Sequence, residues 1–120
     1  MSSRRAVNLT EKLTTFSEHY WPRTVSQFNG HDVMVAKLKG SFHWHVHDDT
    51  DDFFPVLQGR LTMQLRDEDV VLRPGELFVV PRGVEHRPIV EDGEVHVLLI
   101  EATGTPNTGN PPTAAPRAVI

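Results

Sequence analysis

The chain has 120 residues, no cysteine and 38% hydrophobic content, enough for one core and too little for two ordinary domains. Its 12 Lys and Arg against 16 Asp and Glu give a formal net charge of −4, which argues against a general nucleic-acid partner because nothing offsets phosphate repulsion. Without cysteine there is no disulfide framework, thiolate metal site or cysteine nucleophile, and a reducing compartment is permitted.

The N-terminal Arg4-Arg5 pair reads as a solvated tail. No apolar stretch of signal-peptide length follows it, and no window reaches the roughly 18 apolar residues of a membrane span, so no membrane partner and a cytoplasmic location are expected. Asn8 or Thr10 can cap a short helix running to about Ser17, with Glu11 in its first turn, before Trp21-Pro22 takes the chain out of helical geometry. Residues 1–31 thus read as a helical and extended lead-in, 32–101 as a barrel and 102–120 as a tail, all one domain.

From Asp32 to Lys39, Met34, Ala36 and Leu38 alternate with Lys37 and Lys39, and Gly40-Ser41 offers a break or bulge before a strand carrying histidines. Phe53 to Gln58 reads as a strand in which Pro55 cannot donate to a ladder, so an edge or a bulge is expected there. Leu61, Met63 and Leu65 alternate with polar residues, and Asp67-Glu68-Asp69 turns the chain into Val70-Val71-Leu72, a hairpin. Leu77 to Val80 follows the Pro74-Gly75 turn, and Val95 to Ile100 is a last strand after Asp92-Gly93. Strands of this number and spacing predict an all-β, double-sheet jelly roll with a short N-terminal helix. Ala102 to Ile120, rich in Thr, Pro, Gly and Asn, reads as an extended tail, either loosely ordered or lying across a barrel mouth or a partner subunit.

The chemistry concentrates in His45, His47, Asp52 and His86. In an extended strand His45 and His47 project to one face while Trp44 and Val46 project to the other, so the two imidazoles can share an ion that Asp52 and His86 complete. Imidazole plus carboxylate suits one divalent transition metal, Zn, Mn, Fe or Ni, rather than calcium. His43 has the same parity and is a candidate for the edge of the cavity. Should Asp52 point inward, unbroken alternation sends Phe54, Val56 and Gln58 the same way, an apolar wall with one amide that suits a small organic ligand. The alternatives are a metal-free cavity lined by imidazoles and, for Asp52, a solvated carboxylate in the acidic run Asp48-Asp49-Thr50-Asp51-Asp52. His19, His31 and His96 read as exposed or hydrogen-bonded side chains. Arg60, Arg82 and Arg87 read as surface charges that lie near enough to receive a carboxylate or phosphate.

These residues resemble the cupin family, whose first motif runs Gly, five residues, His-x-His, three or four residues, Glu, six residues, Gly. Its second runs Gly, five residues, Pro-x-Gly, two residues, His, three residues, Asn. Here six residues separate Asp52 from Gly59, and Gly75, Pro81, Gly83 and His86 keep the second motif's spacings. The chain departs in four places: four residues separate Gly40 from His45, Asp52 replaces the Glu, Val90 replaces the Asn, and Pro55 lies three residues after Asp52 in the strand Phe53 to Gln58. The resemblance spans Val33 to about Glu101 and implies a double-stranded β-helix barrel in which His45, His47, Asp52 and His86 are the metal ligands. It also implies a homodimer formed through the sheets, which would cover Trp44 and Val46; packing on the N-terminal helix or the second sheet is the alternative.

Such a site leaves positions open for water or substrate, so the first expectation is a metal-dependent enzyme of isomerase, dioxygenase or cyclase type on a small oxygenated metabolite. Asp52 would be fourth ligand or nearby base. The alternatives are a non-catalytic cupin that binds a sugar or aromatic ligand, and a metal-free catalyst with histidine as general base.

Overall fold

In the computed structural model, which describes residues 5–120, Asn8 caps a short helix, α1 (Leu9–Leu13), its side chain accepting from the Glu11 N–H at 3.0 Å. The helix stops before Ser17 because the hydroxyls of Thr14 and Thr15 fold back onto the carbonyls of Glu11 and Lys12, each at 2.6 Å. Strands follow: β1 (Arg23–Phe28), β2 (His31–Ser41), β3 (Asp52–Gln58), β4 (Leu61–Leu65), β5 (Asp69–Leu72), β6 (Leu77–Val80), β7 (His86–Ala102) and β8 (Ala118–Val119). The lead-in therefore contains a strand as well as a helix. Asn29 and Gly30, at φ 50° and 73°, form the left-handed pair of a tight hairpin that sets β1 antiparallel to β2.

The large sheet runs β5-β4-β7-β2-β1-β8, and β3 joins it to β6. Asp52 to Pro55 pair with β6, whereas Val56 and Gln58 pair with β7, so Pro55 stands where β3 changes partners, a place that tolerates its missing N–H. β7 forms one long strand where a separate last strand is expected. The break at Asp92-Gly93 survives as an excursion: Leu38 pairs with Val95 but Gly40 pairs with Val90, so the intervening residues bulge from the ladder with Gly93 at φ 69°.

Alternation fills the interior from both sheets. Ala36 and Leu38 of β2, Phe54 and Val56 of β3, Leu61 and Met63 of β4, Val80 of β6, and Val95, Val97 and Leu99 of β7 form the main cluster. Each such side chain contributes on the order of 1.5–3 kcal/mol by leaving water. The opposite face of β2 is covered as well, since Val35 packs with Leu13 and Val25 beneath α1.

The C-terminal segment is not a loose tail. Arg117 grips Asp32 through Nε and Nη2 at 2.7 and 2.9 Å, Trp21 donates its indole N–H to Pro116 O at 2.7 Å, and β8 pairs parallel with β1. Asn107 donates to Tyr20 O at 3.2 Å and accepts from Ala115 N–H at 2.9 Å. Gly109 lies against the carbonyl of Val46 too closely for any Cβ.

Gly59, at φ 84° in the turn between β3 and β4, has the same character: an added Cβ would meet Glu94 O at 2.6 Å. Gly59→Ala should cost about 2–3 kcal/mol, and Gly75→Ala, at φ 85° but facing open space, about 1 kcal/mol. Urea unfolding midpoints of the two variants check the order.

Candidate metal centre

Backbone hydrogen bonds lay residues 42–47 along the start of β7. Phe42 N–H donates to Pro88 O at 3.0 Å, His45 and His86 exchange bonds of 3.0 Å each way, and Gly83 N–H donates to His47 O at 2.8 Å. The expected histidine strand is thus a single isolated bridge, His45 to His86, because the rungs step unevenly and no regular ladder extends from them. Alternation nevertheless holds, and His45 and His47 both turn inward. The acidic run divides: Asp51 accepts from Arg82 N–H at 2.9 Å and steadies the Pro81-Arg82-Gly83 turn, while Asp52 enters β3 and points into the barrel.

His45, His47, Asp52 and His86 are all buried, and each offers one ligand atom within 4.8 Å of the others. The protons on the rings are placed by their outer neighbours. His45 Nδ1 faces His43 O at 3.1 Å and His86 Nδ1 faces Val84 O at 2.9 Å; carbonyls only accept, so Nδ1 carries the hydrogen and the Nε2 lone pair faces inward. Asp52 Oδ2 then lies 3.0 Å from His86 Nε2 and 3.3 Å from His47 Nε2. Two acceptors at that separation repel unless a proton or a cation stands between them. His47 Nε2 is buried with no hydrogen-bond partner among the described residues, at a cost on the order of 1–3 kcal/mol that a ligated cation would remove. Three imidazoles and one carboxylate fit a divalent transition metal in both chemistry and spacing.

The titration properties agree. Burial, reinforced by the neighbouring imidazoles of His86 and His47, lowers His45 to about 4, so its ring is neutral and free to ligate at neutral pH. Burial pushes Asp52 up, but the His47 and His86 rings that face it outweigh this when they carry positive charge and hold the carboxyl below the usual range. Burial and the facing Asp52 carboxylate raise Glu101 to about 9.

Glu101 escapes a search for metal-ligand spacings, yet it lines the same small cavity as Asp52, His45, Phe54 and Phe42. A signal for it exists in the sequence: Val95, Val97 and Leu99 alternate inward, and Glu101 continues that parity.

The other sequence candidates distribute differently. Phe54 lines the cavity and its ring meets His86 edge-on at 6.1 Å, whereas Val56 packs in the core. Gln58 is exposed, because the register shift between Val56 and Gln58 breaks the assumed alternation. His43 is exposed and stacks on Phe42 at 4.0 Å, leaving only its carbonyl to serve the site. Arg60 and Arg82 are exposed, and Arg87 bonds to Gln64 at 2.7 Å. Trp44 is covered by Arg66 at 3.8 Å and Arg87 at 5.1 Å, so its own chain supplies the cover assigned above to a partner or a second layer. His19 and His96 both bond to Glu94 at 2.7 Å, and His31 to Asn29 O at 2.8 Å, away from the cluster. Arg4 lies outside the described residues, and Arg5 is exposed. No described helix is long and apolar enough to cross a membrane.

A β-barrel with buried His, His, Asp and His side chains that could hold a metal ion defines a protein of the jelly-roll class. The chain belongs to the cupin family: the cupin-2 model, described as a cupin domain, matches residues 32–101, more than half of its length. It is similar to a cupin-2 domain containing protein from Shewanella frigidimarina, at 36% identity and a TM-score of 0.77 over 80% of this chain and 93% of that one. It is 37% identical over 65 residues to the uncharacterized protein YdbB of Bacillus subtilis, covering 53% of this chain and 58% of YdbB. It is also 29% identical over 85 residues to a 3-hydroxyanthranilate 3,4-dioxygenase from Xanthomonas euvesicatoria, covering 68% of this chain and 48% of that enzyme. The chain thus spans about half the length of the curated relatives it matches.

The low value of His45 is a source of acid sensitivity in the metal-free protein, opposed over the same range by Glu101, whose raised value favours the protonated folded form. The unfolded chain takes up a proton near 6.5 while the folded ring resists until about 4, so the His45 contribution to stability is lost as pH falls through that window and regained as it rises. That contribution should reach up to about 3 kcal/mol, read as the difference in pH dependence between the native chain and His45→Asn, in which Glu101 is unchanged. Urea midpoints of chelator-treated protein between these pH values measure it.

Proposed function

We propose that the protein is a metal-dependent enzyme acting on a small oxygenated metabolite, with His45, His47, Asp52 and His86 as the ligand set. The observation that carries this reading is the orphaned, buried His47 Nε2 among three other converging donors. A bound divalent ion there would supply Lewis acidity toward a substrate oxygen, or activate water or dioxygen. The chain's own residues do the rest. The carbonyls of His43 and Val84 fix two of the rings, and Phe42, Phe54 and Leu99 exclude bulk water from the cavity. Asp52 has an oxygen within reach of two imidazoles and serves as fourth ligand or as the base that receives a substrate proton. Identity to a dioxygenase over most of this chain favours oxygen chemistry over isomerisation within this reading.

Plasma mass spectrometry of purified protein should find close to one equivalent of a transition metal, and almost none in His45→Ala/His47→Ala. Full turnover after exhaustive chelation would instead transfer the chemistry to a metal-free histidine base.

A homodimer forms part of the same reading. Leu57, Leu77 and Val79 are exposed, and Leu77 and Val79 register with Pro55 and Phe53, so one outer face of the β3–β6 pair is an apolar strip suited to a second copy. Sedimentation velocity should give a dimer for the native chain and a monomer for Leu77→Lys/Val79→Lys. A native monomer would remove this element and leave the metal site untouched.

A further inference from the structure

Beside the metal-side cavity lies a larger one of about 280 Å³, roofed by the C-terminal segment and floored by Thr24, Met34 and Glu101. Its volume is close to the lower end of small-molecule sites, which run from about 300 Å³ upward. The two cavities share Pro22, Glu101 and Asn107, so they meet at the buried Glu101 carboxyl. The larger cavity's walls are chiefly apolar, with Met34, Pro106, Pro111 and Ala114 among them.

The charged groups facing this shared space differ in one respect. Asp32 and Arg117 are locked to each other, with Gln27 and Thr103 also donating to Asp32. Asp52 and His45 belong to the ligand cluster. Glu101 is only 7% exposed; its carboxyl meets that of Asp52, and among the described residues no N–H or hydroxyl donor bonds to it. Asp52 can accept the hydrogen of that carboxyl but offers none to it, so the remaining Glu101 oxygen is costly to bury unless a donor in the cavity meets it. With Arg117 already engaged, among the described residues no free cationic side chain lies under the C-terminal segment to receive an anionic ligand there. Asn107 is likewise engaged on both sides of its amide, so a polyhydroxylated ligand would find few partners there.

We propose that the two cavities form one substrate chamber, in which Glu101 fixes a hydroxyl or amino group of a small, uncharged ligand with a ring-sized apolar body. The apolar body lies under the C-terminal segment and the polar end points toward the metal ligands. The inference names the substrate class for the site read above as a metalloenzyme and rests on that reading.

The test uses zinc-loaded full-length protein titrated with phenol and with toluene, followed by calorimetry and by the Trp21 indole N–H resonance, which reports on the segment through its bond to Pro116. Phenol should bind, shift the Trp21 signal and exceed toluene in affinity by about tenfold, the discrimination expected of one buried hydrogen bond. Glu101→Leu should remove that discrimination without loss of zinc, and Glu101→Gln should restore most of it. Ala114→Trp, which fills the chamber from the exposed segment, should abolish phenol binding while zinc remains. Phenol affinity unchanged in both Glu101→Leu and Ala114→Trp would overturn the assignment, as would loss of zinc from Glu101→Leu, which would make Glu101 a metal ligand. Should the native protein take up no zinc yet still bind phenol through Glu101, the chamber stands and the metalloenzyme reading fails.

Discussion

The reciprocal backbone hydrogen bonds between His45 and His86 are the constraint on which the site depends. They bring an irregular segment and the start of β7 face to face, and they do so at the two residues whose rings converge, with centroids 4.3 Å apart. Each ring is then turned by a carbonyl two residues before it in the chain, His43 for one and Val84 for the other. Nitrogen lone pairs are thereby directed at a buried carboxylate, an arrangement that is unfavourable without a positive charge in its midst. The fold tolerates it because the surrounding sheets hold these groups in place and leave them nowhere to rotate toward water.

β7 supplies the second constraint. His86 and Glu101 lie near its two ends, and a straight strand would separate them by roughly 50 Å at about 3.3 Å per residue. Both nevertheless approach Asp52. The strand coils around the barrel, and the excursion at residues 91–94 with Gly93 at positive φ marks the bend. One strand thus contributes a candidate metal ligand, three core residues in alternation and the carboxyl group at the far wall of the cavity. A residue inserted between Val90 and Val95 would alter the excursion alone, whereas one inserted within Val95 to Leu99 would turn Glu101 outward.

The C-terminal segment links the site to the rest of the chain in a way family membership does not require. It passes over the barrel end, packs Gly109 against Val46 between two candidate ligands, and is fastened by the Asp32–Arg117 pair. Its prolines and threonines, which make it unfit for helix or central strand, let it follow an irregular path over the cavity while Asn107 ties it to Tyr20. Tyr20 in turn stacks on Phe42 at 4.4 Å and donates to Gly40 O at 2.8 Å, so lead-in, tail and histidine segment form one rim.

Alternating apolar residues, the Pro-Gly and Asp-Gly turns and the spacing of His45, His47, Asp52 and His86 were enough for the sequence by itself to determine the fold class and name a set of donors that converge. These are local properties: strand parity has a period of two, and turn residues act over three or four positions. The Asn29-Gly30 hairpin and the inward parity of Glu101 were legible by the same rules, though neither stands out without its partner strand. Tertiary structure alone decided where parity fails. Gln58 turns outward because β3 shifts register as it moves from β6 to β7, and His43 stays outside because the histidine segment is held by a single bridge. Trp44 finds its cover in Arg66 and Arg87, and the tail is fastened by residues more than 80 positions away. Such outcomes depend on which distant backbone groups remain free to pair once the sheets have formed, and short-range patterns carry no record of that.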